Sequence, residues 1–168
     1  MSEGRRTLPG VLVVDDDTIL RAALAEILDQ AGFQVSTASN GFTGLRLAEL
    51  EHPRVMLLDV VLPELSGLEV LRELKAHAST HDIAVIVVTG QSSALSEARA
   101  AGADLVLEKP FDLDELLAAV HRALKRAPLA LPTADGGPSV SPAVLPNHTP
   151  RPHPRHPAPT WRAHRGHP

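Results

Sequence analysis

The sequence predicts an α/β fold, a parallel β-sheet covered by helices on both faces. Two observations predict it. Val11-Leu12-Val13-Val14, Val55-Met56-Leu57-Leu58, Ile83 to Val88 and Leu105-Val106-Leu107 are short aliphatic runs of the kind found in strands buried on both sides. The segments between them carry apolar residues at helical rather than alternating spacing. Strands that alternate with helices imply parallel pairing through right-handed crossovers.

Each element has its own signal. The first run ends in Asp15-Asp16-Asp17. Leu20, Leu24, Ile27, Leu28 and Ala31 then share one face of a helix, which Gly32 ends. Phe33-Gln34-Val35-Ser36-Thr37 reads as a second strand and residues 41–51 as a second helix. The third run ends in Asp59. Ser66-Gly67-Leu68-Glu69 is a capping box, in which hydroxyl and carboxylate each satisfy an orphan amide. It opens a helix with Leu68, Leu71 and Leu74 inward. The fourth run ends in Thr89, and residues 92–101, rich in alanine, form a helix stopped by Gly102. The fifth run leads to Glu108-Lys109-Pro110. Asp112 and Glu115 start the last helix, with Leu113, Leu116, Leu117, Val120 and Leu124 inward. Five strand–helix units of this kind give a flavodoxin-like doubly wound sheet in the order 2-1-3-4-5. Ligands of such sheets bind beyond the carboxyl ends of the strands, where the strand order reverses.

Composition divides the chain near Ala127. Residues 127–168 hold 11 of the 15 prolines and five of the nine histidines. Such a segment buries too little to offset its ordering entropy, so a disordered Pro/His/Arg-rich tail is expected there. Its imidazoles suit weak Zn²⁺ or Ni²⁺ ligation, and its positive charge suits weak contact with an anionic surface. The folded domain is placed at 9–126, enough chain for one core. Residues 1–126 carry 12 Lys/Arg and 19 Asp/Glu, a net −7, which argues against direct nucleic-acid binding by the folded part. There is no cysteine, and so no disulfide or thiol redox chemistry. No apolar stretch approaches the roughly 18 residues that span a bilayer, and Met1–Gly10 lacks the apolar segment of a signal peptide. A soluble cytoplasmic protein with no membrane partner is the expectation.

The strand ends carry the chemistry. In a parallel sheet Asp15, Asp16, Asp59, Thr89 and Lys109 share one edge. Carboxylates about 5 Å apart repel by roughly 3 kcal/mol per pair at an effective dielectric near 20. Protons or a metal must neutralise such a cluster. Oxygen ligands in small number suit Mg²⁺, which keeps several of its waters. Asp17 has a simpler reading as the N-cap of the first helix. That reading does not extend to Asp59, which precedes Val60-Val61-Leu62-Pro63.

Val13-Val14-Asp15-Asp16, Leu57-Leu58-Asp59 with Pro63 and Gly67, Val88-Thr89-Gly90, and Lys109-Pro110-Phe111 occur in that order. On these motifs residues 9–126 resemble the receiver domain of bacterial two-component response regulators. The resemblance implies that Asp59 accepts a phosphoryl group from a phosphohistidine. It implies that Asp16, Asp59 and the backbone carbonyl of Val61 bind Mg²⁺ directly, with Asp15 acting through a metal-bound water. It implies that Lys109 pairs with the phosphoryl oxygens, that Thr89 moves to hydrogen-bond them, and that Gly90 keeps their approach open. The implied partners are a sensor histidine kinase or histidine phosphotransfer protein, and a downstream protein effector. Residues 127–168 are too few and too poor in apolar residues for a helix-turn-helix, so output through protein contacts is expected.

One departure bears on signalling. Val106 stands where many receivers have Tyr or Phe, and the chain has no tyrosine. An aromatic rotamer switch therefore cannot report the state of Thr89. Two other readings compete. Asp15-Asp16-Asp17-Thr18-Ile19-Leu20 resembles the nucleophile loop of haloacid-dehalogenase-type phosphatases, with Asp15 as nucleophile, but it gives Asp59 no role. A degenerate receiver would serve as a docking module without phosphorylation, but every acceptor-site residue is present.

Overall fold

The computed structural model describes residues 8–127. The expectations for the tail beyond Ala127 lie outside the described residues. The ten elements are β1 (Gly10–Val14), α1 (Thr18–Gln30), β2 (Gln34–Ala38), α2 (Gly41–Glu51), β3 (Val55–Asp59), α3 (Gly67–Ala76), β4 (Ala84–Thr89), α4 (Ala94–Ala100), β5 (Leu105–Glu108) and α5 (Leu113–Arg126). All strand pairs are parallel, in the order β2-β1-β3-β4-β5. This is the predicted sheet.

Aliphatic β-branched and leucine-rich runs form the three central strands because both of their faces are covered. On one face α1 and α5 pack Leu24, Leu28, Leu116, Val120 and Ala123 over Val11, Val13, Leu57 and Ile86. On the other, α2, α3 and α4 pack Ala48, Val70, Leu71, Leu74 and Ala98 over Leu12, Val14, Met56, Leu58 and Val85. Leu58 is fully buried. Truncating such a leucine to alanine costs about 2–5 kcal/mol in transfer and cavity terms.

Some predicted boundaries move. β2 runs Gln34–Ala38, one residue later than expected, because the Phe33 N–H is used by the Leu28 carbonyl to close α1. Phe33 is buried instead, edge-on to His121 with ring centroids 5.7 Å apart. α4 begins at Ala94 rather than residue 92, since the Ser92 side chain is turned to Glu108 and Ser93 makes no side-chain cap. Ala31 and Leu113 face solvent, not the core. Ala31 is the C-cap beyond the last turn of α1, and Leu113 is the first residue of α5, above the sheet edge. Ala119 and Ala123 fill the stripe on α5 in its place.

Register levels the strand ends. Val14 pairs with both Ala38 and Leu58, Asp59 with Val88, and Thr89 with Glu108. The residues after β1 and at the ends of β3, β4 and β5 therefore meet at one carboxyl edge. Asp15 extends the ladder by donating its N–H to the Ala38 carbonyl at 3.2 Å.

Candidate functional site at the carboxyl edge

Asp15 and Asp59 are buried where the strands end, exposed by only 2% and 6%. Each carboxylate is held by a backbone amide two residues on. Asp15 Oδ1 accepts from the Asp17 N–H and Asp59 Oδ1 from the Val61 N–H, both at 2.8 Å. The second oxygens converge on one cation. Lys109 Nζ donates to Asp59 Oδ2 and, at 3.3 Å, to Asp15 Oδ2. The lysine is delivered there because its own N–H donates to the Thr89 carbonyl at 2.8 Å, continuing the β4–β5 ladder. The Lys109–Pro110 peptide bond is cis.

Charge follows the geometry. Burial raises the Asp15 pKa and the Asp59 charge adds to it, against the opposing pull of the Asp17 amide and Lys109. Burial also works to lower the Lys109 pKa, but the hydrogen bond and charge of Asp59, joined by Asp15, outweigh it and hold the ammonium above its ordinary value. The charged form of Asp15 is thus disfavoured, and one ammonium pairs with both carboxylates.

Thr89 is fully buried, and its Oγ1 accepts from the Gln91 N–H at 3.0 Å. That bond uses a lone pair and not the hydroxyl proton. Asp17 is the N-cap of α1, accepting from the Ile19 and Leu20 amides at 2.9 and 3.0 Å, which lower its pKa. Asp16 is exposed beside the buried pair and takes part in none of the bonds to Lys109. Among the described residues no three His, Asp or Glu side chains are gathered as a metal-ligand group. Of the predicted carboxylates, the structure joins Asp15 and Asp59 through Lys109 and leaves Asp16 at the surface.

Two glycines differ in what they do. A Cβ on Gly67 would stand 1.9 Å from the Asp59 carbonyl oxygen, so this position admits only glycine. A Cβ on Gly90 would meet only Lys109 Cβ, at an ordinary 3.9 Å, so the protein's own packing does not require glycine there.

Sequence reasoning missed two side chains at this edge. Arg21 Nη1 donates to the Asp15 carbonyl at 2.7 Å. Ser92 Oγ donates to Glu108 Oε1 at 2.6 Å, tying the β4–α4 loop to the end of β5. An arginine on a polar helix face and a serine in a loop carry no sequence signal of their own.

Four exposed apolar residues lie on segments that follow the carboxyl ends of the strands. Ile19, Phe42, Val61 and Leu113, each at or just after a strand's carboxyl end, are 83%, 58%, 54% and 49% exposed. Only two other large apolar residues among those described, Leu8 and Leu50, are as exposed. No helix among the described residues is long and apolar enough to cross a membrane.

Known proteins resemble this chain in sequence and fold. The family model of the response regulator receiver domain matches residues 11–121. Response regulator MprA of Mycobacterium leprae is 40% identical over 119 residues, which are 69% of this chain and 51% of that protein. The regulatory protein AtoC of Escherichia coli is 36% identical over 115 residues, 68% of this chain and 25% of that protein. The chain thus spans about half the length of the MprA relatives it matches. Among solved structures, a CheY-like response regulator receiver domain protein from Methanospirillum hungatei superposes with a TM-score of 0.66 at 32% identity, covering 71% of this chain and 96% of that one. A receiver domain protein from Clostridium thermocellum gives 0.67 at 32% identity, with 71% and 96% covered. A family model matched over residues 11–121, relatives at this identity and the structural superposition place the chain in the response regulator receiver domain family.

Proposed function

We propose that residues 9–126 form a phospho-acceptor domain in which Asp59 takes a phosphoryl group from a phosphohistidine. One observation carries the reading: a single ammonium, Lys109 Nζ, bridges the buried carboxylates of Asp15 and Asp59 at the ligand-binding edge of the sheet. A buried nucleophile beside a cation is what phosphoryl transfer needs, since positioning and charge neutralisation supply most of its catalysis.

The donor chemistry fits Mg²⁺. The ligands are all oxygens, and Asp15 is pushed toward protonation by burial and by the neighbouring Asp59 charge, a strain that a cation relieves. Asp16 and Asp59, with the Val61 carbonyl, would hold the ion directly, and Asp15 through water. When bound, Mg²⁺ supplies charge neutralisation at the phosphoryl oxygens. The Val61 N–H keeps the Asp59 carboxylate oriented. Asp59 forms its O–P bond as the N–P bond of the phosphohistidine breaks, and the freed imidazole takes a proton from solvent. Lys109 then moves from the carboxylate to the phosphoryl oxygens. Thr89 turns its hydroxyl proton toward the same oxygens. The domain turns over only its own phosphate, by slow hydrolysis.

The exposed apolar residues Ile19, Phe42, Val61 and Leu113, on segments that follow the strands' carboxyl ends, support docking of a protein donor, a sensor histidine kinase or histidine phosphotransfer protein. Signalling then runs through contacts with a downstream protein effector in the cytoplasm. The test is acid-labile labelling by a small phosphodonor with Mg²⁺. One equivalent on Asp59, lost in Asp59→Asn, is expected. Stoichiometric label mapped to Asp15 in that variant, with sustained turnover of a phosphate monoester, would favour a phosphatase instead.

A further inference from the structure

We propose that Arg21 is a positioning residue for cation binding, acting through the peptide that joins Asp15 to Asp16; this rests on the Mg²⁺-dependent phospho-acceptor reading above. Arg21 lies half-buried on the second turn of α1, and its Nη1 donates to the Asp15 carbonyl at 2.7 Å. Its own N–H donates to the Asp17 carbonyl at 2.9 Å. The second bond is the first backbone bond of α1, which any residue but proline would make here; the guanidinium bond to the carbonyl preceding Asp16 is particular to arginine.

The three acids of the loop are held differently. The Asp15 carboxylate is fixed by the Asp17 amide and Lys109. The Asp17 carboxylate is fixed by the two amides it caps. The Asp16 carboxylate takes part in none of these bonds and stands exposed. Its aim depends on the backbone that carries it. The Asp15–Asp16 peptide plane sets that aim, and the Arg21 guanidinium fixes the plane by its carbonyl oxygen.

Charge and geometry predict opposite signs here. On charge alone, a guanidinium beside an acid cluster opposes a divalent cation, so its removal should tighten Mg²⁺ binding. On geometry, its removal lets the peptide rotate and misplaces a ligand, so binding should weaken. Asp16 is exposed and Arg21 half-buried, so solvent screens part of the charge effect between them. Loss of an outer hydrogen bond that orients a ligand costs about 10–100-fold in metal affinity. Geometry should win.

The experiment is a titration of the full chain with Mg²⁺ alone, followed by the backbone amide signals of residues 15–17 and the side-chain Nε–H signal of Arg21. In the unmodified protein, all should shift with one midpoint. Arg21→Gln should weaken the midpoint about tenfold. Arg21→Lys, which keeps a charge and one donor, should restore most of the affinity. Unchanged or tighter binding in Arg21→Gln overturns the proposal, and so does equal weakening in both variants. If Arg21→Gln does not fold, the Arg21 Nε–H signal of the unmodified protein decides, because a signal that stays flat while the amides shift also overturns it. Failure of the phospho-acceptor reading looks different: the unmodified protein would show no Mg²⁺-dependent shift at any of these signals.

Discussion

Gly67 lies so close to Asp59 that a methyl group on its α-carbon would stand 1.9 Å from the Asp59 carbonyl oxygen and 2.8 Å from its carbon. The Gly67 N–H also donates to the Val60 carbonyl at 3.0 Å. The start of α3 is thereby pressed against the residue proposed as nucleophile. The nearest atoms are backbone, which cannot swing aside as a side chain would.

Gly67→Ala should therefore displace the end of β3 rather than merely crowd it. We expect a loss of roughly 1–3 kcal/mol in stability, in the range of overpacking costs. Phosphorylation of Asp59 should fall more steeply than stability, because a shift of its backbone misplaces the carboxylate. Denaturant titration and small-donor labelling at a temperature where the variant is folded check both. Normal labelling in a destabilised variant would show that Asp59 does not depend on this contact.

Gly67 also shows what was legible in the sequence. Its place in the motif was visible, and so was the capping box it belongs to; the contact that forces glycine is tertiary and was not. The strand order was legible because aliphatic runs buried on both faces admit few topologies. The ends of β2 and α4 were not, since they depend on a Phe33 amide claimed by α1 and a Ser92 hydroxyl claimed by Glu108. Asp15, Asp59, Thr89 and Lys109 were placed at one edge by pattern alone. Their hydrogen bonding was not foreseeable, because it turns on side-chain direction: Asp15 and Asp59 face inward to Lys109 while Asp16 faces water. Arg21 was missed for the same reason.

Asp15→Asn tests the charge balance. The Asp15 pKa is raised, chiefly by burial, so its ionised form destabilises the folded state at neutral pH, and that cost is relieved as pH falls through the raised value. The amide removes the buried charge and keeps the oxygen that accepts from the Asp17 N–H. We expect the metal-free melting temperature at pH 7 to rise by about 2–6 °C, with the gain shrinking toward pH 4. The stabilising effect of Mg²⁺ should drop in the same variant. A variant less stable at pH 7 than the unmodified protein would show that the Lys109–Asp15 bond outweighs the burial of the carboxylate.

Lys109→Met removes the shared cation while keeping much of the side chain's length. Asp15 and Asp59 then face each other unpaired. With Lys109 partly open to water, the cost should be about 1–3 kcal/mol, below that of breaking a fully buried pair. The pH profile supplies the signature. In the unmodified protein the Lys109 pKa is raised, so its contribution is fully present at neutral pH and is lost as pH rises through that raised value. Lys109→Met should lack this alkaline loss and gain stability as pH falls through the raised Asp15 value, when that carboxylate protonates. Parallel stability profiles for the two proteins above pH 9 would rule out the ion pair as a stabilising element.

Thr89→Ala addresses output. Val106, not an aromatic, stands on β5 opposite Val87, and it is half-buried against the core. The state of Thr89 has no large ring to move. It does have the Gln91 N–H, which it accepts at 3.0 Å, and the adjacent Ser92–Glu108 bond at 2.6 Å. When Thr89 turns toward a phosphoryl group on Asp59, the Gln91 amide loses its acceptor and the Ser92–Glu108 bond becomes the loop's remaining side-chain tie beside its own backbone turn bonds. Phosphorylation should therefore speed amide exchange at Gln91 and Ser92 and extend into the first turn of α4. Thr89→Ala should still accept phosphate on Asp59 but show fast exchange in both states, because its loop has already lost the tie. Hydrogen exchange of the two proteins, with and without a stable phosphoryl mimic, reads this directly. If residues 89–102 of the unmodified protein exchange at the same rate in both states, Thr89 does not carry the signal and docking independent of phosphorylation becomes the better account.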